Sequence, residues 1–376
     1  MASSNNNEII SHASPHTIKK FDLIEKYVES WAQKLCNNPY CDYLVFIDCM
    51  SNSGMYVDDD GNPVTGTPVR VAKYLRDVAG RYPRKDIFFY ANDKEQGKIE
   101  ELKKHIPMEP KRNFHVKLSS MDANDLLRKI GKNLNAKKNM HYLLVYDPYV
   151  ASIDWDALMP FLNNWGEVIL NHMVSDSVRA VKQAKSTEAI EKYEQTYRAS
   201  IDELVAFNND RKAFENRIQN IIKELHVSGR KAYYVASFPF FNRNNALVYD
   251  LIHCTSNDVG FNLFKTTAWQ TFNNKSSDKK TYGNENQLAI DFTGSGRIAT
   301  VADEYCYHIK DISEYIASMF AGRSDVDIKE IWDALRKHPV FPVENYKRKI
   351  LSDLLQQSGV TANKGKNKIS FTGRSY

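Results

Sequence analysis

The fold is decided by the stretch YLVFIDCMSNSG, residues 43–54. Its first five residues, Tyr43 to Ile47, are all apolar, which is typical of a buried strand in a parallel sheet. Asp48 ends the apolar run and is followed by a loop that contains Ser51, Asn52, Ser53 and Gly54. In α/β proteins the loops at this end of the strands line the crevice where ligands bind.

Helical and strand patterns alternate on both sides of this stretch. Apolar residues recur at helical spacing between Phe21 and Leu35. After the first strand, the predicted helices are 69–79, 95–105, 125–134 and 155–162, and the predicted strands are 86–90, 114–118, 142–146 and 168–170. This alternation predicts βαβ units, which form a parallel sheet with right-handed crossovers.

Two further segments extend the predicted sheet domain. Residues 175–226 are rich in Lys, Glu and Arg, and we predict a helical insertion of one long helix or a helical pair. Strands at 232–238 and 247–254 follow, joined by an Asn-rich connection of hairpin length. The sheet is therefore predicted to be mostly parallel and to end in an antiparallel pair.

The remaining segments flank this α/β domain, which we assign to residues 16–272. Residues 1–15 are polar and aperiodic, which predicts disorder, and 273–309 are predicted to be a linker or mobile loop. Residues 310–376 contain three helical patterns and a short strand at 368–371. This order fits a small winged helix-turn-helix domain, and the alternative is three helices with a tail.

Composition agrees with a globular protein of more than one domain. The 376 residues are 42% hydrophobic and 26% charged, with a formal net charge of +5. Neither a membrane-spanning run nor a signal peptide is evident, which predicts a cytoplasmic protein with no membrane partner. The five cysteines are scattered without a CxxC pair, so we expect reduced, mostly buried thiols and neither a disulfide framework nor a structural zinc site.

Basic residues collect near the C-terminus without acidic neighbours. Between Gln356 and Tyr376 the positive side chains are Lys364, Lys366, Lys368 and Arg374. Such a surface is suited to the phosphates of a nucleic acid. The alternative is an ordinary solvated tail.

Polar side chains follow each of the first four strands of the predicted sheet. These residues are Asp48, Ser51 and Gly54 after the first strand, Asn92 and Asp93 after the second, Asp122 after the third, and Asp147 after the fourth. A nucleoside cofactor suits this crevice, because carboxylates accept hydrogen bonds from ribose hydroxyls and from the adenine amine. The alternative is that these residues only cap helices.

The tripeptide Asp147-Pro148-Tyr149 is the candidate catalytic motif. Asp147 and a carbonyl held by Pro148 can accept hydrogen bonds from an exocyclic amino group, which directs the nitrogen lone pair towards a methyl donor. The ring of Tyr149 can stack on the base. Because an Asp-Pro turn after a strand is common, this motif alone has little specificity.

The order of several short motifs resembles that of the three-Cys-motif partner protein family over about residues 16–270. The matching residues are His16-Thr17, Lys20, Tyr27, Phe46-Ile47-Asp48, Gly54, Gly66-Thr67-Pro68, Asp122-Ala123-Asn124, Asp147-Pro148-Tyr149, Trp155, Asn171, Tyr249-Asp250-Leu251-Ile252, Gly260 and Trp269. That family is similar to class I S-adenosylmethionine-dependent methyltransferases. The resemblance implies a Rossmann-like methyltransferase sheet, S-adenosylmethionine as cofactor and a protein partner with a three-cysteine motif.

Two positions depart from the family pattern. The first loop keeps only the last of the expected glycines, Gly54, and Asn92 stands where a carboxylate is expected. Asp93 is adjacent and could take over at the loop. If Asp93 does not take over, cofactor affinity is reduced, and a non-catalytic member of the family is the further alternative.

Three functional hypotheses follow. The first is methyl transfer to a nucleic acid base, with the strand-end residues around S-adenosylmethionine. The second is a binding or scaffold protein that keeps the fold without catalysis and recognises nucleic acid or a protein partner. The third is metal-dependent hydrolysis by converging Asp residues, for which His172 is the only candidate partner. A structural role of His172 is the preferred interpretation, and no metal is predicted.

Overall fold

The computed structural model describes residues 9–134, 138–148, 150–163, 166–226, 232–280 and 305–372. Tyr149 and Arg374, which belong to the predicted sites, lie outside the described residues, as do 281–304 of the predicted linker and 1–8 of the predicted disordered start. Within the described part of that start, Ser11–His12 form a short strand, because they pair with a strand of the loop after residue 48.

The strands, in chain order, are β1 (Ser11–His12), β2 (Tyr43–Asp48), β3 (Met55–Val57), β4 (Pro63–Thr65), β5 (Asp86–Asn92), β6 (Phe114–Ser119), β7 (Met140–Tyr146), β8 (Gly166–His172), β9 (Tyr234–Phe241), β10 (Leu247–Thr255), β11 (Val326–Asp327), β12 (Val360–Ala362) and β13 (Lys368–Phe371). The helices are α1 (Pro15–Cys36), α2 (Thr67–Arg81), α3 (Gln96–His105), α4 (Ala123–Gly131), α5 (Trp155–Leu158), α6 (Val174–Ala180), α7 (Thr187–Tyr197), α8 (Ile201–Ala206), α9 (Arg211–Leu225), α10 (Asp258–Thr271), α11 (Ile309–Met319), α12 (Ile328–Lys337) and α13 (Lys347–Leu354).

The central sheet has the order β6-β5-β2-β7-β8-β10-β9. The first five strands in this order are parallel to one another, and β10 is antiparallel to both β8 and β9. Its first five positions repeat the 3-2-1-4-5 order of doubly wound folds. The prediction of a mostly parallel sheet with a terminal antiparallel hairpin is confirmed, and the arrangement is consistent with a Rossmann-like methyltransferase fold.

Two hydrophobic clusters cover the two faces of this sheet. One contains buried residues of α1, α2, α3 and α10, together with those of the C-terminal helices. The other contains buried residues of α4 to α9. The two sets alternate along β2, since Leu44 and Phe46 belong to the first cluster and Val45 and Ile47 to the second. A strand buried on both faces explains the continuous apolar run from which the fold was predicted.

The helical insertion is more divided than predicted. Four helices, α6 to α9, occupy the place of the expected one helix or helical pair. Side-chain caps by Ser186, Ser200 and Asp210 begin three of them, which breaks the helical pattern into short pieces. Helix α9 packs against β9, and α6 packs against β10.

The C-terminal unit, residues 309–371, contains α11, α12, α13 and an antiparallel sheet of order β11-β13-β12. Strand β13 lies at the predicted position, whereas β11 and β12 were not anticipated. Lys265 of α10 joins this unit to the sheet domain, since its Nζ donates to the carbonyls of Leu335, Arg336 and His338 at 3.3, 3.0 and 2.8 Å. Burial lowers the pKa of Lys265 to about 7.

Two predictions on composition can be compared with this structure. All five cysteines are buried and free, as predicted. Across the described ranges, no helix combines the length and the apolar character that crossing a bilayer requires.

Candidate functional site

Three neighbouring parallel strands each end in a polar side chain. Asp48 ends β2, Asp147 follows β7, and Asn171 lies near the end of β8. The strands pair in the order β2, β7, β8, which brings these three side chains to one edge of the sheet. Lys20 of α1 reaches the same place and forms an ion pair with Asp147 Oδ2. We call Lys20, Asp48, Asp147 and Asn171 the strand-end cluster.

Hydrogen bonds orient Asp147 within the strand-end cluster. Lys20 Nζ donates to its Oδ2, and Asn171 Nδ2 donates to its Oδ1 at 2.6 Å. The side chain of Lys20 is only 9% exposed, whereas that of Asp147 is 26% exposed. The cluster is therefore built on a buried cation with a carboxylate that reaches the surface of the crevice.

Asp48 is the buried acid of the cluster. One of its oxygens, Oδ1, accepts a hydrogen bond from the backbone amide of Met50 at 3.3 Å. Burial, and then the negative charge of Asp147, raise the pKa of Asp48 to about 7. Two carboxyls and one lysine leave this edge of the sheet deficient in positive charge.

Asn171 has an unused acceptor beside the carboxyls. Its Oδ1 is buried and has no hydrogen-bond partner among the described residues, while its Nδ2 is held by Asp147. A buried carbonyl oxygen without a partner is costly unless a ligand or water donates to it. The strand-end cluster is thus prepared to accept hydrogen bonds from a ligand.

The loop after β2 is tied closely to the loop after β5. Ser51 donates to the carbonyl of Asn92 from both its backbone N, at 2.7 Å, and its Oγ, at 3.1 Å. Asp93 Oδ2 accepts from the backbone of Asn52 at 2.9 Å, and Asp93 Oδ1 accepts from the backbone of Glu95 at 3.0 Å. Asn52 has the left-handed conformation (φ 54°) that its residue type tolerates.

Asn92 has a structural role in this arrangement. Its Nδ2 donates to the carbonyls of Cys49 and Met121, both at 3.0 Å, and its Oδ1 accepts from Ser119 and from the backbone of Met121. Because these bonds use both the donor and the acceptor of the amide, the side chain holds the loops together. The predicted contact of Asn92 with a cofactor would require some of these bonds to break.

Gly54 is required by the packing of the protein itself. It has a φ of 71°, and a Cβ at this position would lie 2.5 Å from Leu102 Cδ1 and 2.7 Å from Val69 Cγ2. A side chain at this position would therefore collide with α2 and α3, which pack closely against the loop. The glycine remains necessary, but its neighbours here are protein atoms.

Two other predicted residues lie outside the strand-end cluster. Asp122 is exposed and caps α4, since its Oδ1 accepts from the backbones of Asn124 and Asp125. This is the capping role that the sequence left open as an alternative. His172 is buried, its Nε2 contacts Tyr197 Oη at 2.8 Å, and burial lowers its pKa to about 3. A structural histidine was the preferred interpretation, and this geometry supports it.

S-adenosylmethionine fits these residues at one end only. Its ammonium and sulfonium charges suit the acceptors of Asp48, Asp147 and Asn171. The adenosine end is less suited, because Asn92 and Asp93 are already hydrogen-bonded within the protein. Within the described residues, no group of three or more His, Cys, Asp or Glu side chains is placed to hold a metal ion.

The C-terminal unit displays the predicted basic residues on a hairpin. Lys364, Lys366 and Lys368 are exposed on and beside the turn between β12 and β13. The turn is ordered by Asn363, whose Oδ1 accepts from the backbones of Asn367 and Lys368. Arg348, in the first turn of α13, is exposed as well and was not identified from the sequence.

Two residues of the strand-end cluster were also missed as site residues. Asn171 follows the same strand-end pattern as the predicted residues, but that pattern was applied only to the first four strands. Lys20 precedes the first strand by more than twenty residues in the chain. Only the packing of α1 on the sheet places it against Asp147. Lys20 and Asn171 both belong to the motifs of the family resemblance, but neither was assigned to the site.

Comparisons with known proteins give no family assignment. No family model matches the chain, and no curated protein matches it in sequence. Membership of the three-Cys-motif partner protein family therefore stays a prediction.

Several solved structures resemble the fold at low sequence identity. A Legionella pneumophila protein described by the family model DUF519 is 12% identical, with a TM-score of 0.39, over 67% of this chain and 92% of its own. Human methyltransferase-like protein 13, solved with SAH, is 10% identical, with a TM-score of 0.31, over 73% of this chain and 97% of its own. A putative SAM-dependent methyltransferase from Streptococcus mutans is 10% identical, with a TM-score of 0.29, over 60% of this chain and 47% of its own. At these scores the likeness carries no argument about function.

Proposed function

We propose that the protein is an S-adenosylmethionine-dependent methyltransferase that acts on a nucleic acid base together with a protein partner. The observation that carries this proposal is the strand-end cluster, in which Asp48, Asp147 and the unpartnered Asn171 Oδ1 lie at the ends of three adjacent parallel strands. The partner, a protein with a three-cysteine motif, is supported by the sequence resemblance alone.

The charge of the strand-end cluster suits a cationic ligand that bears an amine. Lys20 forms an ion pair with Asp147, whereas burial and then the negative charge of Asp147 raise the pKa of Asp48. Asp48 and Asn171 would accept hydrogen bonds from the ligand ammonium. S-adenosylmethionine, when bound, supplies an electrophilic methyl group.

The target amine would be held by the residues after β7. Asp147 is oriented by hydrogen bonds from Lys20 and Asn171, so its remaining lone pairs can accept from an exocyclic amino group. Pro148 fixes the backbone that follows, and its carbonyl is the second acceptor in this proposal. Tyr149 is proposed to stack on the base. Alignment of the amine is then the main contribution of the protein.

The C-terminal unit is proposed to be a winged helix-turn-helix domain that binds the nucleic acid. Its order of helix, strand, two helices and a two-stranded hairpin supports this interpretation. Lys364, Lys366 and Lys368 on the hairpin, together with Arg374, would contact phosphates. Arg348 at the start of α13 adds a second basic position.

Isothermal titration with S-adenosylmethionine tests the cofactor part of the proposal. We expect saturable binding to the wild-type protein and at least tenfold weaker binding to Asp48→Asn, because the variant loses a charge that balances the ligand. Asp86→Asn, at the opposite end of the sheet, is the matched control and is expected to bind normally. Absence of heat at millimolar S-adenosylmethionine would disprove cofactor binding. Titration of Asp122→Asn shows whether the exposed carboxyl that caps α4 contributes to the affinity.

Transfer of labelled methyl groups to DNA and RNA tests the reaction, and salt dependence tests the nucleic acid surface. Replacing Lys364, Lys366 and Lys368 by Ala should lower the slope of log K against log salt by up to about 3, since each phosphate contact contributes roughly 0.9. The control changes three exposed lysines of the sheet domain, Lys26, Lys73 and Lys103. Equal slopes in both triple variants would remove the hairpin from the binding surface.

The second candidate function is a nucleic-acid-binding protein that has lost the cofactor. The internal hydrogen bonds of Asn92 favour it, because they occupy the side chain that was predicted to contact the cofactor. It predicts nucleic acid binding that requires residues 310–376, with neither heat from S-adenosylmethionine nor transfer of labelled methyl groups. The titration and the transfer assay therefore distinguish the two functions.

A further inference from the structure

A second acidic region lies inside the protein, away from the strand-end cluster. It borders a cavity of about 220 Å³ at the junction of α9, the β9-β10 hairpin and the C-terminal unit. The wall includes Lys212, Glu215, Ser237, Asp250, Tyr305 and His338. We call Lys212, Glu215 and Asp250 the interior cluster.

Two carboxyls of the interior cluster are almost completely buried. Asp250 is 1% exposed and Glu215 is 3% exposed. Asp250 Oδ2 and Glu215 Oε1 receive no hydrogen bond from a protein donor in the part of the chain that the structure describes. The two side chains are within hydrogen-bonding reach of each other, and two carboxyls can form such a bond only when they share a proton.

The charges of the interior cluster do not balance without that proton. Lys212 Nζ donates to Glu215 Oε2 at 3.1 Å, but its own side chain is 45% exposed. Burial and the neighbouring Glu215 raise the pKa of Asp250 well above its usual range. The positive charge of Arg211 lowers the pKa of Asp250, but by less than the charge of Lys212 does. The negative charge of Asp210 raises the pKa of Glu215.

The neighbouring imidazoles do not supply the missing positive charge. His172 of β8 is paired with Asp250 in the sheet, and burial lowers its pKa to about 3. His338 lines the cavity, and burial followed by the charge of Lys265 lowers its pKa to about 3 as well. Both rings are therefore neutral near pH 7.

We propose that this cavity binds a small organic cation with a primary ammonium group, which replaces the shared proton between Glu215 and Asp250. An ammonium supplies one positive charge and three donors, which suits two buried carboxyl oxygens that lack donors. The volume holds a ligand of about five to seven non-hydrogen atoms, at roughly 30 Å³ for each water-sized group. Tyr305 would contact the apolar part of the ligand. This site is independent of the proposed methyl transfer.

Titration calorimetry on the full-length protein with n-butylammonium chloride tests the proposal. At pH 7 we expect saturable binding accompanied by the release of up to one proton, measured by comparing buffers with different ionisation heats. The neutral probe n-butanol, which has the same carbon chain, should not bind. Glu215→Gln and Asp250→Asn should each weaken binding at least tenfold, whereas Glu224→Gln, exposed on the same helix, should not.

A variant that blocks the cavity tests the proposal even if the carboxyl variants fail to fold. Ser237→Leu keeps every charge and fills the space beside Asp250, so it should abolish binding while the thermal transition remains cooperative. Absence of saturable binding at millimolar n-butylammonium would overturn the proposal. Equal binding of n-butanol, or unchanged affinity in both carboxyl variants, would overturn it as well.

Discussion

The strand-end cluster and the interior cluster contain the same charges, two carboxyls and one lysine, in opposite arrangements. At the strand ends the lysine is buried and the paired carboxylate is the more exposed group, with side chains 9% and 26% exposed. In the interior the lysine is 45% exposed and its paired carboxylate only 4%. The comparison teaches that the same set of charged groups can occupy opposite environments. Which member of the ion pair reaches water decides whether the carboxylate is exposed to a ligand or buried beside a second carboxyl.

The largest expected effect is a change in pH dependence when Asp48 loses its charge. The pKa of Asp48 is about 7 in the folded protein, above the unfolded value near 3.9. The folded chain therefore retains a proton that the unfolded chain releases, and the free energy of unfolding falls as pH rises from about 4 to 7. This loss is up to about 4 kcal/mol. In urea unfolding, the free energy of unfolding of Asp48→Asn should therefore depend less on pH than that of the wild type. An equal pH dependence would show that Asp48 does not hold a proton in the folded protein.

Removing the buried lysine of the strand-end cluster comes next. Lys20→Met leaves Asp147 beside Asp48 without its counter-charge, which should lower the free energy of unfolding by about 3 kcal/mol. Lys26→Met, exposed on the same helix, should change it by less than about 0.5 kcal/mol. Adding Asp147→Asn to Lys20→Met should recover part of the loss in a double-mutant cycle. Equal losses in Lys20→Met and Lys26→Met would show that the ion pair does not stabilise the fold.

Replacing the lysine of the interior cluster by Met should lower the free energy of unfolding by a smaller amount. Lys212→Met removes the cation beside Glu215, but Lys212 is nearly half exposed and Glu215 can take up a proton. We expect a loss of about 1–2 kcal/mol at pH 7 that shrinks as pH is lowered. Thermal or urea unfolding at several pH values measures this, with Lys223→Met on α9 as the control. A larger loss than in Lys20→Met would reverse the comparison.

The smallest expected effect is a gain in stability. In Asp250→Asn the amide can donate to Glu215 without a shared proton, which should raise the free energy of unfolding by about 1 kcal/mol near pH 7. Because Asp250 holds a proton in the folded state, the gain should increase as pH rises. Urea unfolding at pH 6 and pH 8 checks this, and a loss of stability at both values would mean that the carboxyl makes a contact that an amide cannot replace.

Much of the sheet could be predicted because its signals are local. Tyr43–Asp48 and Met140–Tyr146 are largely apolar strands whose burial on both faces is visible in consecutive residues. In Asp86–Asn92, buried residues alternate with half-buried ones over most of the strand. Short strands such as β12 carry too few residues to show a pattern. The division of 175–226 into four helices depends on caps whose residues, such as Ser200, are also common in loops.

The sequence by itself determined the alternation of strands and helices, the antiparallel hairpin at the edge and the loops at the carboxyl ends of the strands. Apolar periodicity depends on neighbours along the chain, and it therefore survives without knowledge of packing. Only the tertiary structure decided that Asn92 ties two loops together, that Lys20 pairs with Asp147 and that Glu215 lies against Asp250. These contacts join residues far apart in the chain, and the burial that sets their charges exists only once the helices have packed on the sheet.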